Sequence, residues 1–324
     1  MIVLNKLHET IDYYIQLIEE IDYQGNPQEL YQPINYILQL GGKRLRPVLV
    51  GMAAELFDGK KHEVDAIAKA IEIFHNFSLV HDDIMDNAPL RRGKKTVHEK
   101  WNTNIAILSG DVMLVKAYEE LIKGNYTNLA SIIQVFNQTA IEVCEGQQLD
   151  MNFETRSSVS LEEYIEMIKL KTSVLLGGAV KMGALAVGAN ENDAQKIYQF
   201  GVNMGIAFQL MDDYLDAFGD PEKFGKQVGG DILSNKKTYL NIVALEKDST
   251  GKAKKWLSST NFIDEEKVNG MLNIYRTYQI DEACKAKMNF YYELALQNLK
   301  EINVAETKKQ VFIQFAQWLM NRSN

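Results

Sequence analysis

The chain has 324 residues, of which 46% are hydrophobic and 24% charged, as in an ordinary globular protein, and its net charge is −8. The negative charge argues against a general nucleic-acid-binding protein, because no broad basic face is expected. The two cysteines, Cys144 and Cys284, form neither a disulfide framework nor a metal-ligand spacing, and this favours a cytoplasmic location.

No secretory signal or membrane span is predicted. The N-terminal segment acquires polar residues before an apolar core forms. The most apolar stretch, from Met167 to Ala189, is interrupted by Lys169, Lys171 and Lys181. Its uncharged runs are far shorter than the roughly 20 residues that a transmembrane helix requires. We therefore expect a soluble chain.

Helical periodicity runs through nearly the whole chain, which has 5 prolines and no convincing alternating strands. The spacing of apolar residues and breakers predicts helices at 2–22, 29–40, 47–57, 62–86, 105–124, 127–152, 161–187 and 193–218. Residues 90–104 and 221–236 are predicted as loops, and four more helical segments follow. We therefore predict an all-α protein in which residues 1–324 form a single domain.

Two aspartate-rich clusters each end a long apolar helix, at Asp82-Asp83-Ile84-Met85-Asp86 and Asp212-Asp213-Tyr214-Leu215-Asp216. In a helix, the first and last aspartates of each cluster lie one turn apart on one face. Carboxylates so close together repel one another unless cations lie between them. A single acidic cluster is typical of a solvated helix face. The repetition of the pattern after apolar runs instead favours two sites for Mg²⁺, which usually binds one or two carboxylates together with substrate phosphates.

Basic side chains lie close to both clusters in the sequence. Lys43, Arg44 and Arg46 follow two glycines at a helix junction, an arrangement suited to phosphate binding. Lys171 lies in an apolar helix, where an unpaired ammonium group would be costly. Each of these residues alone could be a surface cation. Together with the carboxylates they predict a site that binds metal-bound anions, more than one at a time.

The order and spacing of these motifs resemble the trans-isoprenyl diphosphate synthase family over roughly residues 35–240. The resemblance implies a bundle of long helices around a deep central cavity, usually in a homodimer. It also implies condensation of isopentenyl diphosphate with allylic diphosphates. The motifs that carry it are Gly42-Lys43-Arg44-Leu45-Arg46-Pro47, His75, the two aspartate clusters, Arg91-Arg92-Gly93, Gly146-Gln147-Gln148-Leu149-Asp150, Lys171-Thr172, Phe208-Gln209, Gly225-Lys226 and Asn235-Lys236-Lys237-Thr238.

The resemblance also implies a role for each matching residue. About three Mg²⁺ ions per active site would be held by carboxylates and substrate phosphates, from the set Asp82, Asp86, Asp150, Asp212, Asp213 and Asp216, with Asp83 as a further ligand or a supporting group. The allylic diphosphate would be bound by Arg91, Lys171 and Lys226, with help from Lys236. Isopentenyl diphosphate would be bound by Lys43, Arg46, His75 and Arg92. The site would be lined by Gln147, Asp150, Thr172 and Gln209. No nucleophilic side chain is required.

The residues below the first aspartate cluster are expected to set product length. Phe77 and Phe74 lie roughly 7 and 12 Å below Asp82 along a helix, where an aromatic ring would block a growing chain. The small Ser78 departs from enzymes that place two aromatic residues there and stop at fifteen carbons. This favours geranylgeranyl over farnesyl diphosphate as product. The alternative is that both rings are ordinary core residues and that the floor of the cavity lies elsewhere.

Three other interpretations are less compatible with the sequence. A class I terpene cyclase would lack the second aspartate cluster and the second anion site. A non-catalytic subunit of a heteromeric synthase would have lost motif residues, and none is missing here. A helical scaffold with two acidic faces would not explain Lys171 and Lys226.

Overall fold

The computed structural model describes residues 2–219, 229–259 and 263–321, with side chains from residue 7 onward. The described residues are predominantly helical, with a single two-stranded hairpin, and this confirms the predicted all-α class. The helices are α1 (Ile2–Glu19), α2 (Gln28–Gln39), α3 (Leu45–Leu56), α4 (Asp65–Met85), α5 (Val97–Lys100), α6 (Thr103–Lys123), α7 (Leu129–Thr155), α8 (Leu161–Ile168), α9 (Val174–Ala186), α10 (Glu191–Phe218), α11 (Gly230–Leu233), α12 (Tyr239–Lys247), α13 (Lys252–Ser258), α14 (Asp264–Thr277), α15 (Ile280–Lys300) and α16 (Glu306–Met320). None of them has the length and apolar content that crossing a membrane requires.

The chain divides into two compact units. Unit 1 comprises residues 1–138, 178–198 and 302–314, and unit 2 comprises residues 139–177, 199–301 and 315–324. The single domain expected from the sequence stays a prediction.

In unit 1, the central helix is α4, which packs along α6 and also contacts α3. Of the residues that follow three-and-four spacing on this helix, Ile67, Ala70, Ile71 and Phe74 are at most 1% exposed, whereas Phe77 and Ser78 are half-buried. The helix ends after Met85, before Pro89, which cannot continue a helix. The first aspartate cluster therefore lies in the last turn of a helix that is held by its buried face.

The predicted loop at 90–104 contains regular structure, so that prediction was wrong in part. Strands β1 (Leu90–Arg91) and β2 (Lys94–Lys95) form an antiparallel hairpin, and α5 follows. The two turn residues, Arg92 and Gly93, both have positive φ, of 52° and 74°, as a type I′ turn requires. Strands of two residues are too short to show an alternating pattern, and arginine is an unusual first residue for this turn.

The helix predicted at 161–187 is interrupted in unit 2 by a π-helical turn, Lys169–Ser173, between α8 and α9. Two glycines of neighbouring helices border this turn. A Cβ atom on Gly146 of α7 would lie 2.1 Å from the backbone nitrogen of Lys171, and one on Gly205 of α10 would lie 2.6 Å from Cα of Ser173. Tight backbone packing on two sides accompanies the change in helical pitch, which apolar spacing cannot reveal.

The C-terminal part also differs from the prediction. The short helix α11 lies within the predicted loop 221–236, of which residues 221–228 lie outside the described residues. Beyond that loop the described residues form five helices, α12 to α16, where four segments were expected. Most of this region has weak amphipathic spacing, so its helix boundaries are poorly marked in the sequence.

Candidate active site

Unit 1 gathers a cluster of basic side chains from three elements. Arg46 comes from the first turn of α3, His75 from α4, and Arg91 and Arg92 from the hairpin. The charges of the arginines act on His75: partial burial and then the charges of Arg46, Arg92, Arg91 and Arg44 hold the pKa of His75 well below its usual value. His75 is therefore neutral at pH 7, where it remains able to donate or accept a hydrogen bond.

The loop before α3 is shaped to accommodate Arg92. Gly41 and Gly42 have positive φ, of 79° and 128°, a backbone conformation that favours glycine. The guanidinium of Arg92 donates a hydrogen bond to the carbonyl oxygen of Gly41. A Cβ atom on Gly42 would lie 2.9 Å from Cζ of Arg92. The two glycines therefore let the hairpin arginine approach the loop that carries Lys43.

Asp83 holds Arg91 in place. This carboxylate is buried and accepts two hydrogen bonds from Arg91, of 2.8 Å from Nε and 2.7 Å from Nη2. Arg91 also lies 3.6 Å from Asp82. A bidentate arginine–carboxylate pair fixes both partners. The contacts of Asp83 therefore favour its expected role as a supporting group over a role as a further metal ligand.

Aromatic rings continue below the aspartate cluster. Phe77 lies 4.8 Å from His81 and 5.6 Å from Phe74, measured between ring centroids. Phe74 in turn packs edge-on against Phe136 of α7 at 5.3 Å, and Phe136 packs against Tyr118 of α6 at 5.1 Å. Phe77 is half-buried, whereas Phe74 is only 1% exposed.

Ser78 lies on the same helix and is half-buried. Its hydroxyl donates a 2.8 Å hydrogen bond to the carbonyl oxygen of His75. The small side chain thus turns back onto its own helix and adds little volume to the space beside Phe77.

Unit 2 contains a cavity of about 200 Å³ that is rich in charged side chains. Eight residues expected at the site line it: Asp150, Lys171, Thr172, Gln209, Asp212, Asp213, Asp216 and Lys236. Asp231, Lys237, Thr238 and Tyr164 line it as well. Residues far apart in the sequence are thus brought together around one polar cavity.

Lys171 is positioned by the π-helical turn and by α7. Its ammonium group lies 2.6 Å from Oδ2 of Asp150. Gly146 lies one turn before Asp150 on α7, and its missing side chain allows α7 to approach the backbone of this turn. The pairing explains how a lysine is tolerated in a largely apolar segment.

Asp213 is held by protein groups on both of its oxygens. Oδ2 accepts hydrogen bonds from the hydroxyl of Tyr164 and from the backbone nitrogen of Tyr239, the latter at 3.1 Å. Oδ1 accepts a weaker one from Gln209 at 3.5 Å. Burial, with the nearby carboxylate of Asp231, raises the pKa of Asp213 to about 7. Ligation of a metal by Asp213 would require one of these contacts to change, whereas Asp212 and Asp216 are less buried.

Two polar residues of this site were missed by the sequence analysis. Asp231 follows two glycines and donates its backbone N–H to Oδ2 of Asp216 at 2.9 Å. Tyr164 lies in the amphipathic helix α8, where its apolar spacing gave no sign of a polar contact. The Gly-Gly-Asp sequence at 229–231 could have indicated Asp231, whereas nothing in the sequence indicated Tyr164.

The remaining expected site residues lie on different elements of the fold or outside the described residues. Lys43 is exposed in the loop before α3, and Asp86 is exposed at the end of α4. Gln147 is on α7, and its amide nitrogen is buried with no hydrogen-bond partner among the described residues. Lys226 lies outside the described residues.

The carboxylates of unit 2 suit a hard cation such as Mg²⁺. Among the described residues, no three His, Cys, Asp or Glu side chains form a group that could hold a metal ion by themselves. Mg²⁺ is usually bound by one or two carboxylates together with substrate phosphates and water, so such a group is not needed. Asp150, Asp212 and Asp216 offer oxygen ligands beside a space that an anion could enter. The donor set therefore fits Mg²⁺ bound together with a diphosphate.

Comparison with known proteins gives consistent matches. The polyprenyl synthetase family model matches residues 27–275. A geranylgeranyl diphosphate synthase of Methanosarcina mazei is 40% identical over 266 residues, which cover 80% of this chain and 82% of that protein. A crystal structure of a geranylgeranyl pyrophosphate synthase is 44% identical, with a TM-score of 0.93, and covers 98% of this chain and 99% of its own. A geranylfarnesyl diphosphate synthase of Natronomonas pharaonis is 37% identical over 236 residues, 67% of this chain and 69% of that protein.

These matches confirm the resemblance that the motifs indicated. The family model covers most of the chain, and the similar crystal structure spans nearly all of it, including the parts without motifs. Enzymes of this family use Mg²⁺ for catalysis. The chain belongs to the polyprenyl synthetase family and is a prenyltransferase.

Proposed function

We propose that this chain is a short-chain trans-prenyltransferase that condenses isopentenyl diphosphate with allylic diphosphates and makes geranylgeranyl diphosphate. Family membership establishes the reaction class and isoprenoid diphosphates as substrates. The observation that carries the site assignment is the cavity of unit 2, where carboxylates and Lys171 surround one space. Carboxylates and cations together suit a metal-bound diphosphate, which neither group alone would bind well.

The allylic diphosphate is bound by Lys171 and Arg91, with Lys226 and Lys236 as further cations. The carboxylates of Asp82, Asp86, Asp212 and Asp216 would hold Mg²⁺, about three ions per site, because Mg²⁺ usually takes one or two carboxylates together with substrate oxygens. Asp150 fixes Lys171, and Asp83 fixes Arg91, which supports a role for both carboxylates in orienting the cations. When bound, Mg²⁺ supplies positive charge that stabilises the leaving diphosphate. That the two aspartate clusters act on the same diphosphate stays a prediction of the sequence.

Isopentenyl diphosphate is bound by Lys43, Arg46, His75 and Arg92. The neutral His75 contributes a hydrogen bond without adding charge to a crowded cationic group, in accord with its lowered pKa. Arg46 has a pKa lowered to about 10 by burial, against the favourable charge of Glu72, and stays protonated at pH 7. Both substrates therefore present their charged ends to separate groups of basic residues.

The reaction needs orientation and charge stabilisation more than a reactive side chain. The allylic C–O bond breaks and its electron pair leaves with the diphosphate. The double bond of isopentenyl diphosphate then forms the new C–C bond with the allylic cation, and the departing diphosphate takes the proton that is lost. The cations of the site stabilise the negative charge that develops on the leaving group. Apolar residues near the site, such as Met167 and Ile168 in unit 2, exclude water from the cation.

The length of the product is the finer part of this proposal. Phe77 and Phe74 are the residues that would limit it, with Ser78 providing room for twenty carbons. The relative from Methanosarcina mazei supports this length by its name, and the geranylfarnesyl synthase of Natronomonas pharaonis shows that similar chains make a longer product. Farnesyl diphosphate is the shorter alternative. The packing of Phe74 against Phe136 supports an aromatic floor at this depth.

We also propose that the enzyme is a cytoplasmic homodimer. Leu108, Val115 and Ile122 of α6 repeat every seven residues and are 56%, 58% and 61% exposed. A heptad repeat places them along one face of the helix. A row of large apolar side chains in water is unfavourable and is typical of an interface. A second copy of the chain would cover this face.

The decisive experiment measures turnover of the purified chain. With Mg²⁺, the protein should consume isopentenyl diphosphate only when an allylic diphosphate is supplied. Chromatography of the dephosphorylated products gives the chain length, and a dominant twenty-carbon alcohol is expected. Fifteen carbons would favour the farnesyl alternative, and products beyond twenty-five would exclude the aromatic floor. No turnover by the pure chain, with activity restored by a second subunit, would favour a non-catalytic subunit instead.

A further inference from the structure

We propose that Arg44 and Glu72 form a positioning pair that fixes the loop carrying Lys43 and Arg46 and thereby sets the affinity for isopentenyl diphosphate. This inference rests on the proposed function. Neither residue is among those assigned to a substrate, and both are buried, so neither acts by touching the diphosphate itself.

The pair ties the loop to two helices. Nη1 of Arg44 donates a 2.7 Å hydrogen bond to Oε1 of Glu72 on α4, and Nη2 donates to the carbonyl oxygen of Leu38 near the end of α2. The side chains of Arg44 and Glu72 are 1% and 2% exposed. One planar guanidinium with donors on several edges can bridge two acceptors in this way, which a lysine cannot reproduce. The side chain of Arg44 therefore anchors the loop before α3 to both helices at once.

The backbone of Arg44 requires such an anchor. Its φ of 46° and ψ of 38° place it in the left-handed region, which is unfavourable for a residue with a Cβ atom. Lys43 precedes it, and Arg46 follows in the first turn of α3. If the side chain of Arg44 were released, the backbone could relax, and the directions of both neighbouring basic side chains would change.

The contacts of Glu72 favour positioning over stability. Asn76, one turn later on α4, donates to its Oε1 at 3.1 Å and to its backbone oxygen at 2.8 Å. The other carboxylate oxygen, Oε2, is buried and has no hydrogen-bond partner among the described residues. Buried ion pairs contribute little net stability, because desolvation offsets their attraction. A buried pair with one carboxylate oxygen unsatisfied therefore favours a role in holding the loop and its basic residues over a role in stability.

The charge of Glu72 also acts on the basic residues that bind the substrate. Its carboxylate favours the protonated form of Arg46, while Arg92 opposes it. Removing Glu72 alone would therefore alter both geometry and charge, and the two effects on anion binding would have opposite signs. A test of positioning must leave the summed charge of the pair unchanged.

The double variant Arg44→Met with Glu72→Leu meets this condition, because it removes one positive and one negative charge together. Apolar replacement of a buried ion pair often preserves stability, and thermal unfolding checks this. The affinity for isopentenyl diphosphate is measured by calorimetry without an allylic substrate, and steady-state kinetics give the KM of each substrate and kcat. We expect the Kd and KM for isopentenyl diphosphate to rise about tenfold, because this is the effect expected for the loss of one well-placed charged contact. The KM for the allylic substrate and kcat should change less than about twofold.

A matched control replaces another ion pair of unit 1. Lys123 lies 2.6 Å from the buried Glu120 on α6, so Lys123→Met with Glu120→Leu should leave the affinity for isopentenyl diphosphate unchanged. Wild-type affinity in a folded Arg44→Met/Glu72→Leu variant would overturn the inference. If that variant does not fold, Arg44→Lys keeps the charge but loses the bridging geometry, and a Kd equal to that of the wild type would overturn it equally. A wild-type chain that neither binds nor consumes isopentenyl diphosphate refutes the proposed function instead.

Discussion

The ammonium group of Lys171 and the carboxylate of Asp150 meet at 2.6 Å, across the contact between the π-helical turn and helix α7. This contact depends on Gly146, because a Cβ atom there would lie 2.1 Å from the backbone nitrogen of Lys171. Gly146→Ala should therefore move the turn away from α7 and separate the pair. We expect a loss of about 2 kcal/mol in the free energy of unfolding, as for other overpacked sites, and at least about a tenfold loss in kcat/KM. Denaturant unfolding and kinetics measure both.

A second helical glycine provides the control for this prediction. A Cβ atom on Gly270 of α14 would meet the indole ring of Trp256, a half-buried side chain, and no backbone atom is among its nearest neighbours. Gly270→Ala should therefore be milder in both measurements. Equal effects of the two substitutions would show that close approach to the π-helical turn is not what matters.

Product length should respond to Phe77. Because Phe77 is half-buried and Phe74 is fully packed, Phe77→Ala should open space with a smaller loss in the free energy of unfolding than Phe74→Ala. We expect longer products by chromatography, while Phe74→Ala should also lower stability by about 3–5 kcal/mol. Phe290→Ala, at a ring 56% exposed on α15, is the control. An unchanged product distribution in Phe77→Ala would locate the floor elsewhere.

Activity should depend on Mg²⁺ and on Asp212. Excess EDTA should abolish turnover, and added Mg²⁺ should restore it. Asp212→Asn should lower kcat by about 10²–10³-fold, as expected for the loss of transition-state charge stabilisation. Its melting temperature should stay equal or rise, because one of several crowded carboxylates is neutralised. Asp82→Ala should abolish turnover with little loss of stability, because it relieves repulsion between neighbouring carboxylates.

An exposed carboxylate serves as the control for the metal experiment. Asp58, whose side chain is 79% exposed, is paired with Lys308 on the surface, so Asp58→Asn should retain full activity and the same Mg²⁺ requirement. Full turnover of the wild type in excess EDTA would contradict the metal assignment.

His75 should contribute a loss of stability in mild acid, opposite in sign to the contribution of Asp213, whose pKa is raised to about 7. Partial burial and then the charges of Arg46, Arg92, Arg91 and Arg44 hold the pKa of His75 well below its usual value. The unfolded chain gains a proton at this residue as pH falls below about 6.5, whereas the folded chain does not. The stability that depends on neutral His75 is therefore fully present above about pH 6.5. It is lost as pH falls toward the lower folded pKa, at about 1.4 kcal/mol per pH unit.

Chemical denaturation of the His75→Gln variant between pH 7 and about pH 5 tests this sign, and we expect the free energy of unfolding of the variant, relative to that of the wild type, to rise as pH falls. The exposed His62 provides the control, since His62→Gln leaves His75 in place and should keep the pH profile of the wild type. A difference between variant and wild type that falls as pH falls would contradict the predicted direction.

Dimer formation should depend on the exposed face of α6. Val115→Lys places a charge at the centre of the row formed with Leu108 and Ile122, and burying it in an interface would be costly. Light scattering after size exclusion should then show a monomer at concentrations where the wild type is a dimer. Phe290→Lys changes an exposed apolar residue of another helix and should leave the dimer intact. A dimer that persists in Val115→Lys would place the interface on another surface.

The sequence by itself determined the all-α class, the buried face of α4 and the identity of the motif residues. These features follow from local patterns: three-and-four spacing marks Ile67, Ala70 and Ile71 as core, and charged residues at fixed offsets mark Asp82 and Asp212 as candidate ligands. Both kinds of pattern extend over only one or two helical turns. They can therefore be recognised without knowing which helices are neighbours.

Only the tertiary structure decided which polar groups face one another. The pairing of Lys171 with Asp150, the anchoring of Asp213 by Tyr164 and the burial of Arg44 against Glu72 each join residues that are 21 to 49 positions apart. The π-helical turn and the type I′ hairpin likewise depend on backbone contacts or on strands too short to show periodicity. A side chain's partner depends on how helices pack, and apolar spacing specifies that a face is buried without specifying what lies against it.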